Sequence, residues 1–201
     1  MTPYSTPPII TTLGDAAYWG FVILLILVSL VSVIATLRAP RRILVYIATA
    51  ALALALLTVA IPGPQAPFGV EITLGILVLG LATLGGGPAT QLVLAVASRG
   101  TVPEGHFGGI LVADHAESAP AGSTREILRG GTTIGFLERI AMAGSILAGF
   151  PQAVAVIVAI KSVGRLSELN ESEARERFII GTLVSLGWAS VCAGVWYFAT
   201  R

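Results

Sequence analysis

From Trp19 to Leu37 the chain runs nineteen residues without a charged side chain, and from Ile43 to Ile61 it does so again. Only the basic turn "RAPRR" separates the two runs. Crossing the hydrocarbon core of a bilayer takes about 20 apolar residues as a helix, so two such runs in succession commit this region to lipid. Composition agrees. Of 201 residues, 55% are hydrophobic and 11% charged, where a soluble domain carries about 25% charged residues. A chain with so little polar surface needs lipid as its solvent. The net charge of +1, with no concentrated basic face, excludes a nucleic-acid binder. The single cysteine, Cys192, lies inside an apolar run and reads as a small hydrophobe. No Lys or Arg precedes the first run, and Arg38, Arg41 and Arg42 follow it. That is the reverse of a cleaved signal peptide, so Trp19–Leu37 reads as a true first span.

The remaining apolar runs extend the pattern to six. "PGPQAPFG" ends the second span, because its prolines cannot continue a helix. Val70 to Ala97 is longer than one crossing needs and contains "GGGP". Gly85, Gly86, Gly87 and Pro88 are therefore expected to break the helix, shielded from lipid by protein, since unpaired backbone groups are costly in hydrocarbon. The segment is expected to be either a kinked, buried helix or a span followed by an interfacial helix. Ser98 to Gly131 is the one substantial polar stretch, and "STRE" within it matches a capping box, Ser123 with Glu126. A short helix ending at Gly130-Gly131 is expected there. Thr132–Gly149 reads as the fourth span, "FPQ" as a tight turn, and Pro151–Val163 as the core of the fifth, with Pro151 in its first turn. "NESE" (Asn170 with Glu173) starts a helix whose first two turns are polar, and Phe178–Phe198 is the sixth span. The expected class is an all-α membrane protein of about six transmembrane helices with a kinked or broken third helix. Its expected organisation is an N-terminal membrane region of three spans (1–97), a cytoplasmic polar loop with a short helix (98–131), and a C-terminal membrane region of three spans (132–201).

With six spans, ten of the twelve Lys and Arg residues fall on one side of the membrane, Arg201 on the other, and Arg139 just inside a span. The basic side is expected to be cytoplasmic, which puts both termini outside. Tyr18, Trp19, Trp196 and Tyr197 then lie at the outer interface, where aromatic belts form. The two halves of three spans have opposite topology, as in inverted-repeat transporters, but show no residue-level similarity.

Within this apolar chain, "GGTTIGFLERIAMAGSILAGF" (Gly130–Phe150) carries the adjacent charges Glu138 and Arg139. If "AGFPQA" turns an antiparallel helical hairpin, Glu138 stands level with Val163, between Lys161 and Arg165, which share a helix face. Glu138 lies roughly 9 Å in from Thr132. A lone carboxylate there protonates or finds a cation, and Lys161 or Arg165 is the candidate. Arg139 is expected to snorkel to the phosphates on its long stem. One reading is a structural ion pair locking two helices, aided by the small residues Gly131, Gly135, Ala141, Ser145 and Gly149. The other is a cytoplasm-facing site of Glu138, Arg139, Lys161, Arg165, Glu176 and Arg177 for an anionic headgroup or an acidic segment of a partner. Asp114, His115, Glu117 and His106 are metal-ligand types without a recognised spacing, so no metal and no cofactor is expected. The serines and threonines stand in no nucleophile-elbow context, and no catalytic residue is assigned.

"GGTTIGFLER", "AIKSVGRLSEL" and "ERFIIGTLVSLGWA" resemble the recurring IGxLER, AxKSxxR and ERFxIGTLxS blocks of a family of bacterial polytopic inner-membrane proteins with no assigned activity. The resemblance covers about residues 130 to 190, and "LGGGPAT" before it is similar to an actinobacterial branch. It implies that Glu138, Arg139, Lys161, Arg165, Glu176, Gly181 and Thr182 are signature positions. Gly131-Thr132 stands where a basic residue often follows the glycine, and Leu166 where an aromatic is usual.

Three functions compete. The first is a non-enzymatic accessory or scaffold protein of the bacterial inner membrane, binding lipid headgroups, a membrane protein partner or a second copy of itself. The second is a small transporter or channel, against which stands the clustering of charge at one end. The third is a lipid-modifying enzyme, which needs an acid/base or metal set that only Glu138 and the histidine loop could supply.

Overall fold

The structure is a computed structural model that describes residues 8–97, 110–113, 124–127, 131–166 and 172–201. Six helices follow in order: α1 (Pro8–Arg38), α2 (Arg42–Ala60), α3 (Phe68–Ala97), α4 (Gly131–Leu147), α5 (Ala153–Leu166) and α6 (Ser172–Ala199). A two-stranded antiparallel ribbon, β1 (Ile110–Ala113) with β2 (Thr124–Ile127), stands between α3 and α4 in the chain. The expected short helix after Ser123 is thus corrected for Thr124–Ile127, which pair as a strand with Ile110 opposite Ile127. A capping box marks only a start, and an isolated short helix is marginal in water. The β-branched Thr124 and Ile127 favour the ladder instead.

The chain is a multi-pass membrane protein with an essentially all-α fold. Among the described residues, four helices are long and apolar enough to cross a membrane: Thr12–Arg38 of α1, α2, α3, and Arg175–Ala199 of α6. α4 has 17 residues and α5 has 14, rises of roughly 25 and 21 Å against a core of about 30 Å. A shorter helical hairpin therefore stands where the fourth and fifth of six spans were expected. The turn between them is tightly closed. Gly149, at φ +78, closes α4 in a Schellman motif, with Phe150 N donating to Ser145 O at 2.8 Å and Gly149 N to Ile146 O at 3.0 Å. Pro151 lies in the turn and α5 begins only at Ala153, not at Pro151 as its helix-starting habit suggested. α1 begins eleven residues before Trp19, with Pro8 at its first position, where a missing N–H costs nothing. α6 starts at Ser172, so polar turns precede Phe178; the capping pair Asn170 with Glu173 lies outside the described residues.

By their contacts, residues 1–81 and 191–201 form one compact unit and residues 82–190 a second. In the first, α1 and α2 pack antiparallel, with Ser29 Oγ donating to Ala48 O at 2.9 Å and Tyr18 OH to Thr58 O at 3.0 Å. Most buried positions of α1 (Trp19, Val22, Ile26, Ser29, Val33, Thr36) and of α2 (Val45, Ala48, Leu52, Ala55, Val59) follow a 3-4 spacing, that of a knobs-into-holes seam, with Ser32 and Ala51 buried beside them. Alanines on α2 allow close approach, which matters because lipid leaves no hydrophobic drive between helices. The outward positions Leu24, Val31, Leu57 and Ile76 are exposed and as apolar as the core, as a lipid-facing surface requires. Trp196 Nε1 donates to Glu71 O at 3.1 Å, joining the end of α6 to the start of α3. Trp19 is buried on the same seam as Val22 and Ile26.

α3 is continuous from Phe68 to Ala97, with Pro88 inside it. The expected break at Gly85–Pro88 does not occur, and the residues up to Ala97 belong to the same helix. In an exposed helix each glycine costs about 1 kcal/mol and the proline about 3 kcal/mol relative to alanine, so packing must hold this turn together. Gly85, Gly86 and Pro88 are all buried, in keeping with the expected shielding by protein. A Cβ at Gly85 would fall 2.5 Å from Cε2 of Trp188. The glycines serve close approach, not interruption.

Candidate functional site

The second unit contains Glu138, Arg139, Lys161, Arg175, Glu176 and Arg177. α4 and α5 are the arms of the hairpin, and Glu138 lies nine residues before Leu147 while Lys161 lies eight after Ala153. At 1.5 Å per residue both are roughly 12–14 Å from the turn, so their side chains meet at one depth. Lys161 Nζ is paired with Glu138 Oε2, and each side chain keeps 13% of its surface exposed. Lys161 Nζ also lies 5.7 Å from the ring centroid of Phe178 on α6, a distance at which the ring face attracts a cation. One ammonium thus ties three helices together.

Arg139 takes a different direction. One residue along an α-helix is a rotation of about 100°, which turns Arg139 from the α5 side toward α3 and α6. It is 5% exposed, and does not snorkel to the headgroups as its long stem allowed. Its Nε donates to Thr83 O at 2.8 Å and its Nη1 to Ser185 Oγ at 2.9 Å. Its Cζ stands 5.1 Å from the Phe136 ring centroid. The slot it fills exists because two neighbours lack side chains. A Cβ at Gly86 would lie 2.9 Å from Arg139 Nε, and one at Gly135 would lie 3.0 Å from Nη1. Thr83 is one residue before Leu84, whose carbonyl loses its usual helical donor to Pro88. Arg139 therefore bonds the carbonyl next to the one the proline frees, and ties this turn of α3 to α4.

Of the expected six-residue cluster, the structure brings Glu138 and Lys161 together. Glu138 and Lys161 sit on the α4–α5 seam, and Arg139 is buried between α3, α4 and α6. Arg175 and Glu176 are exposed and Arg177 half-buried on the first turns of α6. The Arg165 side chain, His106, Asp114, His115 and Glu117 lie outside the described residues. Residue-by-residue reading of the sequence missed Thr83, Ser185 and Trp188. A glycine run beside a helical proline was the available signal that another element approaches closely at that point. No known protein family, curated protein or solved structure matches the chain.

Proposed function

We propose that this chain is a non-enzymatic accessory or scaffold protein of a bacterial cytoplasmic membrane, binding a partner protein or lipid headgroups through the charged start of α6. What supports this reading is where the charges go. Arg175 and Glu176 are exposed at the start of α6, just before its apolar part. The blocks "IGFLER", "AIKSVGR" and "ERFIIGTLVS" extend the proposal to the bacterial membrane family that they resemble. Purification in a mild detergent tests the reading. A stoichiometric protein that is lost from the Arg175→Glu/Arg177→Glu variant, with helix content and melting midpoint kept, is the result expected of a scaffold. An anionic phospholipid retained by the parent and lost from the variant assigns this end to headgroups. A parent that carries neither overturns the proposal.

The proposed topology has the Lys/Arg-rich ends of the helices in the cytoplasm and both termini outside. It does not depend on how deep the α4–α5 hairpin reaches, because two antiparallel helices return the chain to the side it left. In intact cells, with Cys192 replaced by alanine, a cysteine at Ser118 is expected to be protected from an impermeant thiol reagent and one at Ser5 to be labelled. The reverse pattern, or labelling of both, defeats the assignment.

A further inference from the structure

We infer that α3 contains a hinge at Gly85–Pro88 that the buried Arg139 holds closed, so that the arm from Pro88 to Ala97 has a second, bent arrangement available to it. Three observations converge on this turn. Pro88 lies inside α3, which deprives the Leu84 carbonyl of its helical donor, and three glycines precede it, the residues with the greatest backbone freedom. The contacts across the turn come from other helices: Arg139 Nε on the Thr83 carbonyl at 2.8 Å, and the Trp188 indole packed against Gly85. Beyond the proline, Thr90 Oγ1 reaches the Gly181 carbonyl at 3.3 Å, which is long for an O–H donor. None of the residues from Gln91 to Ala97 is buried.

Straight helices bend at proline unless something prevents it. Here the guanidinium bonds the carbonyl on the near side of the weakened turn while held to α6 through Ser185 Oγ. It thus fastens the turn to a second helix. Gly86 is the seat of this latch, because any side chain there would displace Arg139.

Pairs of spin labels test the hinge. They are placed at Val96 on the arm and Ile179 on α6, which are 63% and 43% exposed, in a full-length Cys192→Ala background reconstituted in nanodiscs. The parent is expected to give one narrow distance distribution. Arg139→Ala is expected to add a second population displaced by roughly 4 Å or more, given an arm of about 12 Å from Pro88 to Val96 and a bend above about 20°. Gly86→Ala should produce the same displacement with the arginine still present, and it carries the test if Arg139→Ala does not fold. Adding Pro88→Ala to either variant supplies the missing donor and should restore the narrow distribution. A parent-like distribution in Gly86→Ala or in a folded Arg139→Ala overturns the hinge. So does a displacement that Pro88→Ala leaves in place, because that describes general loosening of the fold.

Discussion

Lys161→Met will destabilise the purified protein by about 3 kcal/mol, the low end for breaking a buried ion pair, while the exchanged variant Glu138→Lys/Lys161→Glu will recover a large part of the loss. The methionine keeps most of the lysine stem and removes only the charge. What remains is Glu138, a short carboxylate on an apolar helix, 13% exposed in the parent. It cannot reach water on its own stem, so the cost is chiefly that of stranding it. Glu138→Gln should cost less, about 1–2 kcal/mol, for two reasons. The amide still accepts from Lys161, and a lysine left without its carboxylate can extend toward the headgroups. The exchange restores both charges on opposite helices but loses the Lys161 position over Phe178, which limits the recovery. Denaturant midpoints of the variants in one detergent measure all four values. If Lys161→Met and Glu138→Gln are each within about 0.5 kcal/mol of the parent, the range of an ordinary surface substitution, the pair holds no helices together.

The same substitution two residues apart in α3 will have opposite signs. Gly87→Ala should stabilise the protein by up to about 1 kcal/mol, because alanine is the better helix former and a Cβ at Gly87 meets nothing within 4 Å. Gly85→Ala has the same gain in propensity, but its Cβ would stand 2.5 Å from both Cε2 and Cζ2 of Trp188. The indole is rigid and only 8% exposed, so relief requires the helices to part. Overpacking of this kind costs about 1–3 kcal/mol, enough to cancel or outweigh the propensity gain. Combining Gly85→Ala with Trp188→Leu removes the ring and should make the alanine tolerable, so the two changes will be non-additive. Thermal midpoints of the five proteins decide it. Equal effects at Gly85 and Gly87 would show that close packing does not explain the glycines.

Much of this architecture was legible in the chain because membrane insertion is a local property. Whether a stretch prefers lipid depends on its own side chains and length, which is why α2 begins and ends within a residue of the apolar run Ile43–Ile61. The meeting of Glu138 and Lys161 was legible for a related reason. A tight turn at Phe150–Gln152 and a rise of about 1.5 Å per residue place two positions on adjacent helices at one depth without knowledge of any third element. Helix termini were harder. α4 ends at Leu147 and α5 begins at Ala153 because the Schellman closure at Gly149 and the turn at Pro151 take up residues that composition alone counts as helix.

Arg139 and the GGGP segment could not be read this way, and they mark the boundary of what local sequence determines. The adjacent residues Glu138 and Arg139 look equivalent in the chain, yet their partners lie on different helices, and Arg139 bonds residues 56 and 46 positions away. By intrinsic propensity the run Gly85–Pro88 should end a helix; it continues through Pro88 because α4 and α6 supply a guanidinium and an indole at the weakened turn. Sequence determined how many apolar runs there are, where they begin, and which charges share a depth, since each depends on neighbours within a few turns. Tertiary structure alone decided which charge is buried and which glycine is a contact, because the cost of an unpaired group or a weak turn is set by whatever distant segment packs against it.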